Sequence, residues 1–115
     1  MVRIEGKSAL VDTYGTITIE IDRVPAREEW WIQAIAVQCS STSQTTFTAY
    51  RNQIDFLNVI DMTERGNFNV ADEASPKWIA SGSTIVVQWT GCSATDSLGN
   101  PSKGEVTMQI AKRQI

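Results

Sequence analysis

Thr16-Ile17-Thr18-Ile19-Glu20-Ile21-Asp22 alternates polar and apolar residues without a break. In an extended chain successive side chains point to opposite faces, so this order puts Ile17, Ile19 and Ile21 on one side and the polar groups on the other. The stretch reads as a half-buried antiparallel strand, one face on a core and one in water.

The same period recurs on both sides of it. After a break at Val24-Pro25, residues Trp30 to Gln38 run Trp-Trp-Ile-Gln-Ala-Ile-Ala-Val-Gln. Trp30, Ile32, Ala34 and Ala36 fall on one face, and Trp31, Ile35 and Val37 on the other. With both faces apolar, this strand is expected to be central, or covered by a second layer or a neighbouring subunit. Thr45 to Arg51 alternates with Phe47 and Ala49 inward, following the polar Ser40 to Gln44 loop. Thr84 to Trp89 presents Ile85, Val87 and Trp89, and Glu105 to Ala111 presents Val106, Met108 and Ile110. Ile54 to Ile60 mixes periods and is read as a strand, with a short helical turn as the alternative. Val2 to Ile4 and Ala9 to Val11 read as two further short strands.

Turn residues separate these runs. Asp61 to Pro76 forms a long turn-rich connection with Phe68 and Val70 as inward anchors, and Asp96 to Gly104 forms another loop. The sum is an all-β chain of roughly seven to nine strands, a single antiparallel β-sandwich or jelly roll occupying residues 1–115. A chain of 115 residues supports one hydrophobic core and not two.

Composition narrows the function. Hydrophobic residues make up 42% and charged residues 20%, as in an ordinary globular domain. The net charge of -3, with scattered Lys and Arg, offers no field for a phosphate backbone, so nucleic acid is not an expected partner. No apolar run approaches the ~20 residues needed to cross a bilayer, and residues 1–6 lack the apolar region of a secretory signal. No membrane association is expected, and the protein is expected to stay in a soluble compartment. Cys39 and Cys92 have no neighbours at metal-ligand spacing; they read as buried, reduced core thiols, with a single cross-strand bridge as the alternative.

The sequence contains no histidine. That removes the Ser-His-Asp and Cys-His arrangements and the commonest general base near neutral pH. It also removes the usual zinc ligand. The carboxylate pairs Glu28-Glu29, Asp72-Glu73 and Asp61 with Glu64 have the residue type for glycoside hydrolysis, and the last four for calcium, yet their spacing matches no EF-hand loop. Solvated loop carboxylates are the reading adopted. No catalytic residue, cofactor or metal is therefore expected, and the protein is read as a non-enzyme.

Four tryptophans carry more information. Trp30 and Trp89 sit on apolar alternation and belong to the core. Trp31, on the opposite face of its strand, and Trp78, after Pro76-Lys77, are candidates for a partner interface, because large aromatics left at a surface anchor contacts. Phe68, Arg113 and Ile115 complete that candidate set, the last two on a short tail read as a solvated end or, in an assembly protein, as a reach to a neighbour.

Three segments resemble a group of small virion structural proteins of tailed bacteriophages, especially those of actinobacteria. Val24-Pro25-Ala26-Arg27-Glu28-Glu29-Trp30-Trp31-Ile32 is similar to that group's Val-Pro-Ala-Gly-Glu followed by a Trp-led strand. Tyr50-Arg51-Asn52 closes a strand, and Ile79-Ala80-Ser81-Gly82 leads to Val86-Val87-Gln88-Trp89-Thr90-Gly91. The resemblance spans most of residues 16–111. Arg27 stands where the pattern has Gly, and Cys92 where a second Gly often follows. What the resemblance implies is a β-sandwich virion component, assembled in the host cytoplasm: a capsid decoration or minor capsid protein on the major capsid lattice, monomeric or trimeric. Tail, neck and fibre parts are the alternatives, including a carbohydrate-binding module that stacks sugars on Trp31, Trp78 or Tyr50. No functional residue carries over from these scaffold motifs.

Overall fold

The computed structural model describes residues 2–52, 54, 59–63, 69–70 and 78–115, and of strand residues 2–6, 59–63 and 69–70 it describes the backbone alone. The strands are β1 (Val2–Leu10), β2 (Ile17–Arg23), β3 (Glu28–Cys39), β4 (Thr46–Arg51), β5 (Val59–Thr63), β6 (Asn69–Val70), β7 (Thr84–Thr90) and β8 (Lys103–Gln114). No helix occurs among the described residues. One sheet has the order β1-β8-β3-β6 and the other β2-β7-β4-β5, with every pairing antiparallel.

That order has a simple origin. Folding the chain back on itself at the β4–β5 connection pairs β4 with β5, β3 with β6, β2 with β7 and β1 with β8. Rolling the resulting ribbon then sets β8 beside β3 and β7 beside β4. Three long strands in each sheet form the packed body, and the eight strands in all fall within the seven to nine read from sequence, with β1 merging the two short strands expected at Val2–Ile4 and Ala9–Val11. A register shift between Ile4 and Lys7 lies where the gap was expected. β5 and β6 extend each sheet at one edge to four.

The inward faces of the two sheets meet in one core. Ile17, Ile19 and Ile21 of β2, Phe47 and Ala49 of β4, and Ile85, Val87 and Trp89 of β7 come from one side. Trp30, Ile32, Ile35 and Val37 of β3 and Val106, Met108 and Ile110 of β8 come from the other. Phe47 and Trp89 stack at a tilt, their ring centroids 5.0 Å apart. The alternation of Thr16–Asp22 thus becomes burial as read, with Ile17, Ile19 and Ile21 enclosed and Thr18, Glu20 and Asp22 in water.

β3 is central in its sheet, one of the expected alternatives, but its two apolar faces resolve into one. The strand is flanked by β8 and β6, but its register slips between Ile32 and Ala34, leaving Gln33 as an extra residue. A β-bulge reverses the parity of everything beyond it. Trp30 and Ile32 before the slip, and Ile35 and Val37 after it, therefore enter the same core. The two apolar stripes of the sequence are one stripe, shifted halfway.

Other boundaries move for local reasons. The strand read over Ile54–Ile60 begins at Val59 and continues to Thr63, while Ile54 is an exposed bend and residues 55–58 lie outside the described set. The Asp61–Pro76 connection contributes Asp61–Thr63 to β5 and Asn69–Val70 to β6, with Ala34 opposite Val70. Cys92 is a buried free thiol, whereas Cys39 is free and only half-buried at the end of β3.

Candidate functional site

The longest strands, β3 and β8, have twelve residues each and, at ~3.3 Å per residue, run nearly the full 47 Å length of the molecule. They define two ends. Val24–Arg27 and the C-terminus lie at one, and the loops 11–16, 40–45 and 91–102 lie at the other.

At the C-terminal end, the sequence candidates come together. Trp30 and Ile79 form an isolated antiparallel bridge, each amide donating to the other's carbonyl at 3.1 and 2.6 Å. Residues opposite in such a bridge share a face, so Trp30 and Ile79 both turn into the core and their neighbours Trp31 and Trp78 both turn out. The outward rings meet with centroids 5.9 Å apart at an interplanar angle of 58°. Arg113, opposite Glu29 in the β3–β8 ladder, lays its guanidinium 4.1 Å from the Trp78 ring centroid and donates from Nε to Glu29 Oε1 at 2.8 Å. Aromatic pairing and an Arg-on-Trp stack are each worth about 0.5–1 kcal/mol at a partly exposed site. Trp31 and Trp78 are both half-buried.

The remaining candidates are less engaged. Ile115 is 67% exposed, and its amide donates to the Arg27 carbonyl at 2.9 Å, pinning the tail to the β2–β3 turn. Phe68 lies outside the described residues, as do Glu64, Asp72 and Glu73. Glu28 and Glu29 are engaged structurally: Glu28 Oε1 accepts from Trp30 Nε1 at 3.4 Å and lies 3.9 Å from Lys112 Nζ, and Glu29 holds Arg113. Among the described residues no cluster of three potential metal ligands occurs.

The other end carries what the sequence reading missed. Asp12-Thr13-Tyr14-Gly15-Thr16 and Asp96-Ser97-Leu98-Gly99-Asn100 are the same loop built twice. In the first, Asp12 Oδ1 accepts from the amides of Tyr14 and Thr16 at 2.8 and 3.0 Å, and the Asp12 amide donates to the Thr16 carbonyl at 2.9 Å. In the second, Asp96 Oδ1 accepts from Leu98 and Asn100 at 2.9 and 3.0 Å, and the Asp96 amide donates to the Asn100 carbonyl at 2.7 Å. Gly15 and Gly99 occupy the same left-handed position, at φ 75° and 82°. Each loop lifts one large apolar side chain into solvent, Tyr14 at 89% exposure and Leu98 at 83%. The repeated Asp-x-apolar-Gly spacing was the signal in the sequence.

These loops rest on a rigid base. Ser41 and Ser93 are joined by an Oγ–Oγ contact of 3.2 Å and by Ser93 N donating to Ser41 Oγ at 2.9 Å; Ser43 Oγ donates to the Gly91 carbonyl at 2.6 Å. The Val11 amide reaches the Ser102 carbonyl and the Cys92 amide the Gly15 carbonyl, both at 2.9 Å. Beside them, a cleft of about 330 Å³ opens between Leu10, Gln38, Lys103 and Glu105 and the loop residues Asp96, Asn100 and Pro101. Burial, with a smaller contribution from neighbouring Cys39, pushes the Cys92 thiol up to about 12, so it is a packed, protonated group without nucleophilic character.

Neither a protein-family model nor a curated protein matches the chain.

Proposed function

We propose that the chain is a jelly-roll structural protein of a tailed-bacteriophage particle, a capsid decoration (minor capsid) protein that binds the major capsid lattice and stabilises it. It works by assembly with other virion subunits and performs no catalysis. The strand order β1-β8-β3-β6 over β2-β7-β4-β5 carries this reading. An eight-strand ribbon rolled in this way is the jelly roll, an architecture recurrent in viral capsid and lectin domains. The resemblance of the Pro25 turn and the Trp89-Thr90-Gly91 segment to phage virion proteins points to the first of those two uses.

The state of the tryptophans favours assembly over sugar binding. A stacking platform needs an open aromatic face. Trp78 instead has the Arg113 guanidinium over its ring and Trp31 tilted against it. The cluster braces the end of β3 against β8 and the C-terminus. The glycan-binding alternative therefore loses its strongest candidate residue, and Tyr50 is only half exposed.

Mass spectrometry of purified virions tests the proposal. The chain is expected among the structural proteins of intact particles. Its absence from particles that retain their other structural proteins would overturn it. The same reading takes a monomer or a trimer on the lattice, which sedimentation of the purified chain distinguishes.

A further inference from the structure

We propose that the end of the molecule formed by loops 11–16, 40–45 and 91–102 is its docking end, with Tyr14 and Leu98 as paired apolar anchors for a protein surface whose sockets are rimmed by basic side chains. The inference rests on the assembly reading above and adds which end docks and what it docks to.

Three observations converge on it. First, the two largest exposures of apolar side chains among the described residues belong to Tyr14 and Leu98, and both sit at this end. Exposed large aromatics and aliphatics cost nothing singly, but two held at one end form the centre of a contact surface. Second, the anchors are pre-positioned. Each sits in a loop closed by two hydrogen bonds to an aspartate Oδ1 and two between backbone groups, and the loops are tied to the serine-linked base. Ordering a side chain and loop on binding costs about 0.5–1.5 kcal/mol per immobilised side chain, and here much of that ordering is already present in the free protein.

Third, the charge at this end selects the occupant. Among the described residues of this end, the aspartates that shape the loops are the unbalanced charges: Asp12 and Asp96 enter no ion pair there, whereas Lys103 is neutralised by Glu105 at 3.0 Å. An anionic lipid surface or a nucleic acid would be repelled. A second copy docking end to end would oppose the same two carboxylates. The remaining fit is a different protein that offers apolar sockets beside Lys or Arg, which on the assembly reading is the capsid lattice.

The test uses particles from a phage deleted for this chain, mixed with purified protein and separated by sedimentation. Wild-type chain is expected to co-sediment. The Tyr14→Ser/Leu98→Ser double variant is expected to bind at least tenfold more weakly while keeping its melting temperature, since both side chains are in solvent. Asp12→Asn/Asp96→Asn, which keeps the amide-accepting oxygens and removes the charge, is expected to bind a few-fold more weakly and with a shallower salt dependence. Ile54→Ser, an exposed apolar side chain at the opposite end, is expected to bind as wild type. If wild-type chain does not bind particles, the assembly reading fails and the docking end falls with it. If wild type binds and the double serine variant binds within twofold of it, the docking end is overturned while the assembly reading stands. Loss of self-association in place of particle binding would also overturn it.

Discussion

Arg27 occupies the third position of a four-residue turn closed by the Glu28 amide donating to the Pro25 carbonyl, at φ 63°. A residue with a Cβ pays about 1–2 kcal/mol in the left-handed region, partly offset in glycine by its freer unfolded state. Arg27→Gly, the residue that the resembled pattern holds here, is expected to stabilise the protein by about 0.5–1 kcal/mol in urea unfolding. Gly104 is the opposite case, for a steric reason. A Cβ built there would lie 2.8 Å from a ring carbon of the buried Trp89, so Gly104→Ala is expected to cost roughly 1–3 kcal/mol and to perturb Trp89 fluorescence. Cys92 gives a pH dependence. With its native pKa raised to about 12 from the ordinary thiol value of 9.0, the unfolded chain releases that proton first as pH rises. The neutral thiol thus contributes stability in full below pH 9, and that contribution is lost between pH 9 and 12. Iodoacetamide at pH 8 is expected to modify native Cys92 far more slowly than the unfolded chain.

At the scale of elements, the inward residues of β2, β4, β7 and β8 were legible because Ile17, Ile19 and Ile21, Phe47 and Ala49, Ile85, Val87 and Trp89, and Val106, Met108 and Ile110 each follow period two. β3 was legible as a strand but not as a face. A bulge is set by one extra residue against a partner strand, and nothing in Trp30–Gln38 alone says where the partner slips. Deleting Gln33 tests this reading. It removes the bulge and leaves Ile32, Ala34, Ile35, Ala36 and Val37 in unbroken alternation and register with β8, so Ile35 and Val37 still face the core and the deletion is expected to cost less than about 1.5 kcal/mol. A loss of more than about 3 kcal/mol, as expected if Ile35 and Val37 turned outward, would show that the parity change at Gln33 is not what fills the core. The twin loops were legible in retrospect through Asp-x-apolar-Gly, but only pairing across β1–β8 and β2–β7 brings Tyr14 and Leu98 to one end. Trp31 and Trp78 were singled out separately as interface candidates, and the structure sets their rings against each other. Their engagement with Arg113 depends on the Trp30–Ile79 bridge, a contact across 49 residues that no local pattern contains.

For the whole molecule, alternation and turn spacing carried the all-β class, while the order of strands came from long-range pairing. Each sheet is stitched from both halves of the chain, β1 with β8 and β2 with β7, so the two ends of the sequence meet along one edge of the first sheet. Long-range pairing of this kind folds slowly for its size. The outcome is an elongated body with a braced end at Trp31, Trp78 and Arg113 and a loop end that presents two fixed apolar tips. Such a body suits a repeating lattice, where one end docks and the other faces outward. Quantitative mass spectrometry of purified particles, with isotope-labelled peptides from this chain and from the major capsid protein, tests that claim most directly. A decorated lattice predicts copies on the order of hundreds per particle, in a fixed ratio to the major capsid protein. A dozen copies or fewer, or none, would contradict it.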